Sequence, residues 1–386
     1  MKQHSLRCLS LYLWLGIVFI YGAVAARGQS VYPTPSPYTF TTLTNLAGVD
    51  PANDANDLAR FLHSRGVAVD DAGTIYFANT RSHTICRLTS AGDLTVLAGQ
   101  AGSFGSVDGT GNAARFFYPQ GVALDSAGNI YVADGGNNTI RRITPAGVVT
   151  TLAGLACQSG SADGNGSHAR FAYPASVAVD SAGNIYVADL YNFTIRKVTP
   201  DGAVTTLAGE AENDGAVDGQ GSAARFKSPC SVAVGKAGDI YVLDMFNGIR
   251  KISHSGQVTT LAGRETYSVG SADGTGRAAQ FNRPSALAVD AAENIYVTDT
   301  ANDLIRRISP NGSVITLAGQ AGQTGERDGT GDAARFDHPT GIALDRAGNL
   351  YVGDLEGSRM RKGFPAKPAV VDVSPKAGGS LSFANP

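Results

Sequence analysis

Residues 119–154 read PQGVALDSAGNIYVADGGNNTIRRITPAGVVTTLAG. Residues 121–124 are a small apolar run, suited to a strand crowded on both sides. The sequence DSAGN that follows, from Asp125 to Asn129, is turn chemistry: Asp and Asn bond their own backbone, and Gly accepts positive φ. Residues 130–133 read as a second strand, β-branched and aromatic, and DGGN from Asp134 to Asn137 turns the chain again. Residues 139–143 alternate apolar and charged side chains, which predicts a third strand with one wet face. Pro145, Ala146 and Gly147 turn the chain before a fourth strand at 148–152. A four-stranded meander of this size cannot bury both faces alone and needs copies of itself on either side.

The copies are present. The tripeptide Leu-Ala-Gly begins at Leu46, Leu97, Leu152, Leu207, Leu261 and Leu317, with spacings of 51, 55, 55, 54 and 56 residues. Four strands at this period read as a β-propeller blade, and no helical periodicity competes. First strands fall at 66–69, 121–124, 176–179, 231–234, 286–289 and 341–344, giving six blades. The sixth has no fourth strand after Met360, Arg361 and Lys362, whereas residues 39–48 hold an unclaimed strand at the other end. The expectation is an all-β, six-bladed propeller of four-stranded blades, its ring closed by the N-terminal strand completing the last blade. Closure also removes the exposed sheet edge that an open ring would leave.

The run from Pro174 to Lys197, PASVAVDSAGNIYVADLYNFTIRK, resembles the repeat of NHL propellers, and the other five copies follow it more loosely. The resemblance covers roughly residues 39–364 and implies a six-bladed NHL β-propeller of the exported, bacterial type. It implies no single activity, because this fold hosts several.

Outside the ring, residues 1–26 read as a signal peptide. Lys2 and Arg7 precede an apolar stretch at 11–21, and Ala23-Val24-Ala25 offers a small-residue cleavage site. The rival is an uncleaved N-terminal anchor. Residues 27–38 read as a Pro-rich spacer, 39–364 as the propeller, and 365–386 as a tail, with the start of a truncated further domain as the rival reading. The chain is thus expected to be exported, either secreted or held in the periplasm or at the cell surface. Abundant glycine (48 residues) suits a turn-rich protein, and a net charge of −2 shows no excess of Lys and Arg for nucleic acid. Cys86, Cys157 and Cys230 lack metal-binding spacing and read as free thiols, with a Cys157–Cys230 bridge as the rival.

Two repeated features invite a chemical reading. Five connections carry Asp-Gly-x-Gly and then Ala-Arg/Gln-Phe, beginning at Asp108, Asp163, Asp218, Asp273 and Asp328. One Asp per loop is too few for calcium, so a turn is expected, with Phe anchoring the loop and Arg pairing a nearby carboxylate. Asp134, Asp189, Asp244, Asp299 and Asp354 end the second strands, with Asn79 in the first blade. They read as turn-formers, since a residue present in every blade seldom makes one asymmetric site.

A site should lie where the copies differ. The residue before the blade proline is His63, Tyr118, Tyr173, Ser228, Arg283 and His338 in turn. The residue after it is Arg65, Gln120, Ala175, Cys230, Ser285 and Thr340. These rings precede the innermost strands, so they should surround the channel mouth. The candidate ligand-binding set is His63, Arg65, Tyr118, Gln120, Tyr173, Arg283 and His338. No catalytic set, metal or cofactor is expected. Amidating lyases related by the propeller resemblance hold zinc through channel histidines, and gluconolactonase-like relatives need a Glu, Asn and Asp set; neither pattern is met at the mouth positions. The expected function is a non-catalytic binding or interaction scaffold for a protein, peptide or envelope glycan. No nucleic acid is expected, and no membrane contact beyond the N-terminal segment. The alternative is a metal-assisted lyase or lactonase at the mouth, with His63 and His338 in adjacent blades.

Overall fold

The computed structural model describes residues 37–45, 66–246, 248–264, 269–354 and 359–366, all within one compact unit. The proposed signal peptide and all but the last two spacer residues lie outside the described residues, as do His63, Arg65 and the tail beyond 366.

Six antiparallel sheets are arranged in a closed ring. Blade 2 shows the plan: Pro119–Leu124, Ile130–Asp134, Thr139–Ile143 and Val148–Gly154 follow one another from axis to rim. Each sheet buries both faces against its neighbours. Six apolar clusters fill the six interfaces; the last joins Val67, Phe77 and Cys86 of blade 1 to Ala343, Tyr351 and Met360 of blade 6. Tyr38–Asn45 pairs antiparallel with Arg359–Pro365, Phe40 opposite Gly363, so the N-terminal strand does complete the last blade. Among the described residues no helix is long and apolar enough to cross a membrane.

The innermost strands explain the small residues that open them. A Cβ on Gly121 would lie 2.7 Å from the Ser176 Cα of the next blade, so a larger residue would push the blades apart at the axis. Where serine is accommodated it is used: Ser176 Oγ accepts the Val232 N–H, and Ser231 Oγ accepts that of Leu287.

The Asp-Gly-x-Gly loops add what the sequence reading lacked, a fifth strand at the rim. Gly109–Thr110, for example, pairs with Val148 and Val149 of the blade that follows it. The aspartate preceding it is fully engaged. Asp108 accepts from the Thr151 N–H and hydroxyl and from Arg141 at 2.6 Å. Arg141 also reaches Asp134 at 2.9 Å and lies 5.1 Å over the Phe116 ring. Arg196, Arg250, Arg306 and Arg361 repeat this spoke, and all five guanidinium side chains are fully buried.

This corrects two expectations. Strand three is not wet at Arg141; its partly exposed charge is Arg142. The Arg of Ala-Arg-Phe is not the general ion-pairing residue either. Arg115 and Arg335 bind loop carbonyls and the Gln100 and Gln320 side chains, and among the described residues only Arg225 of this position meets a carboxylate, Glu210. Because a buried guanidinium must be paired, the strand-three arginine takes the carboxylates. Burial pushes Asp134 and Asp189 up to about 6, against the lowering pull of their arginines. Blade 1 drops all three partners together. Asn79 replaces the strand-two Asp, Cys86 the arginine, and the loop lacks the Asp-Gly pair. None of Cys86, Cys157 and Cys230 forms a disulfide among the described residues, so the Cys157–Cys230 bridge is not made; Cys86 and Cys230 are buried and Cys157 is exposed.

Candidate ligand-binding mouth

The pre-proline residues reach the mouth through an unusual backbone. Tyr118, Tyr173, Arg283 and His338 have φ of 47°, 54°, 48° and 54°, a left-handed conformation that non-glycine residues adopt only when held there. The preceding blade does the holding. His83 Nδ1 accepts the Tyr118 N–H at 3.2 Å, Asn138 Oδ1 that of Tyr173 at 2.8 Å, and Asp303 Oδ1 that of His338 at 2.9 Å. His83, Asn138 and Asp303 are equivalent positions, each itself left-handed. Burial lowers the His83 pKa, keeping its imidazole neutral and able to accept.

The post-proline residues turn away from solvent. Ala175, Cys230, Ser285 and Thr340 are buried. Ser285 bonds the Thr340 carbonyl and the Thr300 hydroxyl. Gln120, 5% exposed, is the one with reach: its amide donates to the Tyr173 hydroxyl at 2.8 Å, tying two blades together across the rim.

A cavity of about 560 Å³ opens here, with Tyr118, Gln120 and Tyr173 in its wall. The other wall residues that carry chemistry are Arg81, Tyr191 and Phe246, which the sequence reading missed. Tyr173 and Tyr191 stack with ring centroids 5.2 Å apart, and Tyr191 and Phe246 are 62% and 37% exposed. These residues share one repeat position, two after the strand-two Asp or Asn: Arg81, Gly136, Tyr191, Phe246, Ala301 and Glu356. That position varies from blade to blade more sharply than either ring flanking the proline, and this was the available signal. Arg283 and His338 are exposed but lie outside this cavity's wall. His338 groups instead with Asp303 and Asp337.

A larger cavity, about 900 Å³, lies at the opposite end of the channel, among Asp180, Asn184, Lys236, His254 and Asp290. Its aspartates are engaged by the fold. Asp180 accepts the N–H groups of Ala182 and Asn184, the Asn184 amide and the Tyr186 hydroxyl, as Asp125, Asp290 and Asp345 do in their own blades. The pre-proline mouth is the better candidate because its exposed side chains are not required by the repeat.

Fold and mouth together define a closed six-bladed β-propeller with one asymmetric end. The family model described as NHL repeat matches residues 116–143 and 171–198, so blades 2 and 3 carry NHL repeats within this six-bladed propeller. The chain is similar to the chloroplastic protein Suppressor of Quenching 1 of Arabidopsis thaliana, 27% identical over 69% of this chain and 27% of that protein. It therefore spans about a quarter of that relative's length. Among solved structures it resembles a protein of unknown function from Bacteroides thetaiotaomicron, with TM-score 0.64 and 19% identity over 84% of this chain and 75% of that one. It also resembles an auxiliary nutrient binding protein from Bacteroides ovatus, with TM-score 0.61 and 19% identity over 86% and 78%. At such identity these structures speak for the fold alone.

Proposed function

We propose that this propeller is an exported binding protein that presents a rigid, asymmetric mouth to a protein, peptide or glycan ligand. One observation carries the reading. Six blades built to one plan diverge at the mouth, where exposed aromatic side chains and Arg81 surround a cavity of ligand size. Aromatic rings give large contact area with few rotatable bonds, and they dominate binding energy when desolvated. The closed ring fixes the positions of loops from several blades, so little ordering cost remains to be met on binding. The description of a structural relative as an auxiliary nutrient binding protein accords with this use of the fold. Export is supported by the charged start, apolar run and Ala23-Val24-Ala25 site.

Peptide and glycan arrays, followed by titration of any hit, test the reading. Tyr191→Ala/Phe246→Ala should weaken a hit by about 30-fold or more, the loss typical of removing a central aromatic anchor. A ligand bound equally by the double variant would remove the mouth from consideration. Protein recovered outside the cytoplasm should have lost residues 1–26; an intact N-terminus there would replace cleavage with anchoring.

A further inference from the structure

We propose that Asp303, Asp337 and His338 form a site for a zinc-class divalent cation at the mouth end, between blades 5 and 6. One donor atom from each lies within 4.8 Å of the others. His338 Nδ1 is 2.9 Å from Asp337 Oδ1 and 3.9 Å from Asp303 Oδ1. Zinc bound at about 2.0–2.2 Å by nitrogen and oxygen holds neighbouring donors roughly 3–3.5 Å apart. Small side-chain rotations bring the three to that spacing, and Asp337 and His338 are exposed enough, 25% and 47%, to make them.

A second observation is independent of this grouping. The Asp303 side chain is only 7% exposed. Among the described residues no Lys or Arg ion-pairs with it: Oδ1 accepts the His338 backbone N–H, and the His338 imidazole, itself a member of the proposed site, lies 3.9 Å from the same oxygen. Buried carboxylates elsewhere in this protein face a guanidinium, as Asp134 does with Arg141. Such a charge is ordinarily paired or bound to metal.

The fold does not call for these charges. In blade 2 the neutral amide of Asn138 does the structural work of Asp303, and in blade 1 His83 does it. The position of Asp337 is held by Asn282 in blade 5 and Ala172 in blade 3. The position of His338 is held by Tyr118 and Tyr173. Three metal-ligating side chains thus coincide at positions that other blades fill with non-ligands. One imidazole with two carboxylates suits zinc better than calcium, which takes six to eight oxygens. Three protein donors also leave a coordination position open to solvent.

The test uses zinc alone, added to chelator-treated full-length protein at pH 7.5 and followed by calorimetry and elemental analysis after gel filtration. One equivalent per chain is expected, with calcium failing to compete. The variants Asp303→Asn, Asp337→Asn and His338→Tyr copy residues native to other blades, so the ring should fold, as circular dichroism would show. Each should weaken zinc by more than the roughly 10–100-fold lost when a group that merely orients a ligand is removed. The triple variant should bind none. Less than one equivalent in the unaltered protein, a preference for calcium, or full binding by the exposed-site His338→Tyr variant would overturn the proposal. Tyr191→Ala/Phe246→Ala should bind zinc normally, so failure here and failure of the ligand reading are separable.

Discussion

Blade 4 offers a sharp test of how far the repeat's parts can be exchanged. Five inner strands end in an aspartate that accepts the turn N–H groups and the neighbouring tyrosine hydroxyl; blade 4 has Gly235 there. The structure shows that Glu293, from the equivalent turn of blade 5, reaches across the interface. Its Oε1 accepts the Ala237 N–H at 3.0 Å and its Oε2 the Tyr241 hydroxyl at 2.9 Å. Glu293 itself occupies a left-handed position, φ 63°, where the other described turns carry glycine. Hydrogen bonds to a charged group contribute about 1.5–3 kcal/mol each, while glycine at a left-handed position gains up to about 1 kcal/mol. Glu293→Gly should therefore cost about 2–5 kcal/mol. Gly235→Asp should also destabilise, because a Cβ there meets Glu293 Oε1 at 2.8 Å and displaces it from its donors. The double variant recreates the arrangement of the other blades and should return to within about 1 kcal/mol of the original protein. Guanidinium denaturation of the four proteins gives the cycle. Additivity within about 0.5 kcal/mol would mean that Glu293 is not standing in for the missing aspartate.

His83 should make the ring sensitive to mild acid. Its pKa is lowered in the fold by burial, so below the unfolded value of about 6.5 the unfolded chain takes up the proton first and stability falls with pH. Above that value both states are neutral and the contribution is constant. His83→Asn, the blade 2 solution, should flatten the fall in melting temperature between pH 6.5 and 5 relative to the unaltered protein; an unchanged slope would refute the assignment. Deleting residues 39–46 should leave Arg359–Pro365 unpaired on its outer side and drive aggregation. A monomeric deletion with the original melting temperature would contradict closure by this strand.

The sequence by itself determined the blade. Turn residues and alternating apolar runs act over a few positions, so period, strand order and blade number can be read from one copy and counted. It also determined that the first strand closes the ring, because residues 39–48 held an unclaimed strand and the sixth blade lacked one; the structure places that strand at Tyr38–Asn45. The candidate site was half legible. Tyr118, Gln120 and Tyr173 were picked from variation beside the proline and do line the cavity, but Arg81, Tyr191 and Phe246 were not picked. Only the tertiary structure decided those, and for the same reason it decided the Arg141 spoke, the Glu293 substitution and the grouping of Asp303 with His338. Each joins residues more than thirty positions apart or in different blades. Local periodicity carries no record of which side chain a neighbouring sheet will bring alongside, whereas burial in a closed ring forces every such charge and donor to find its partner there.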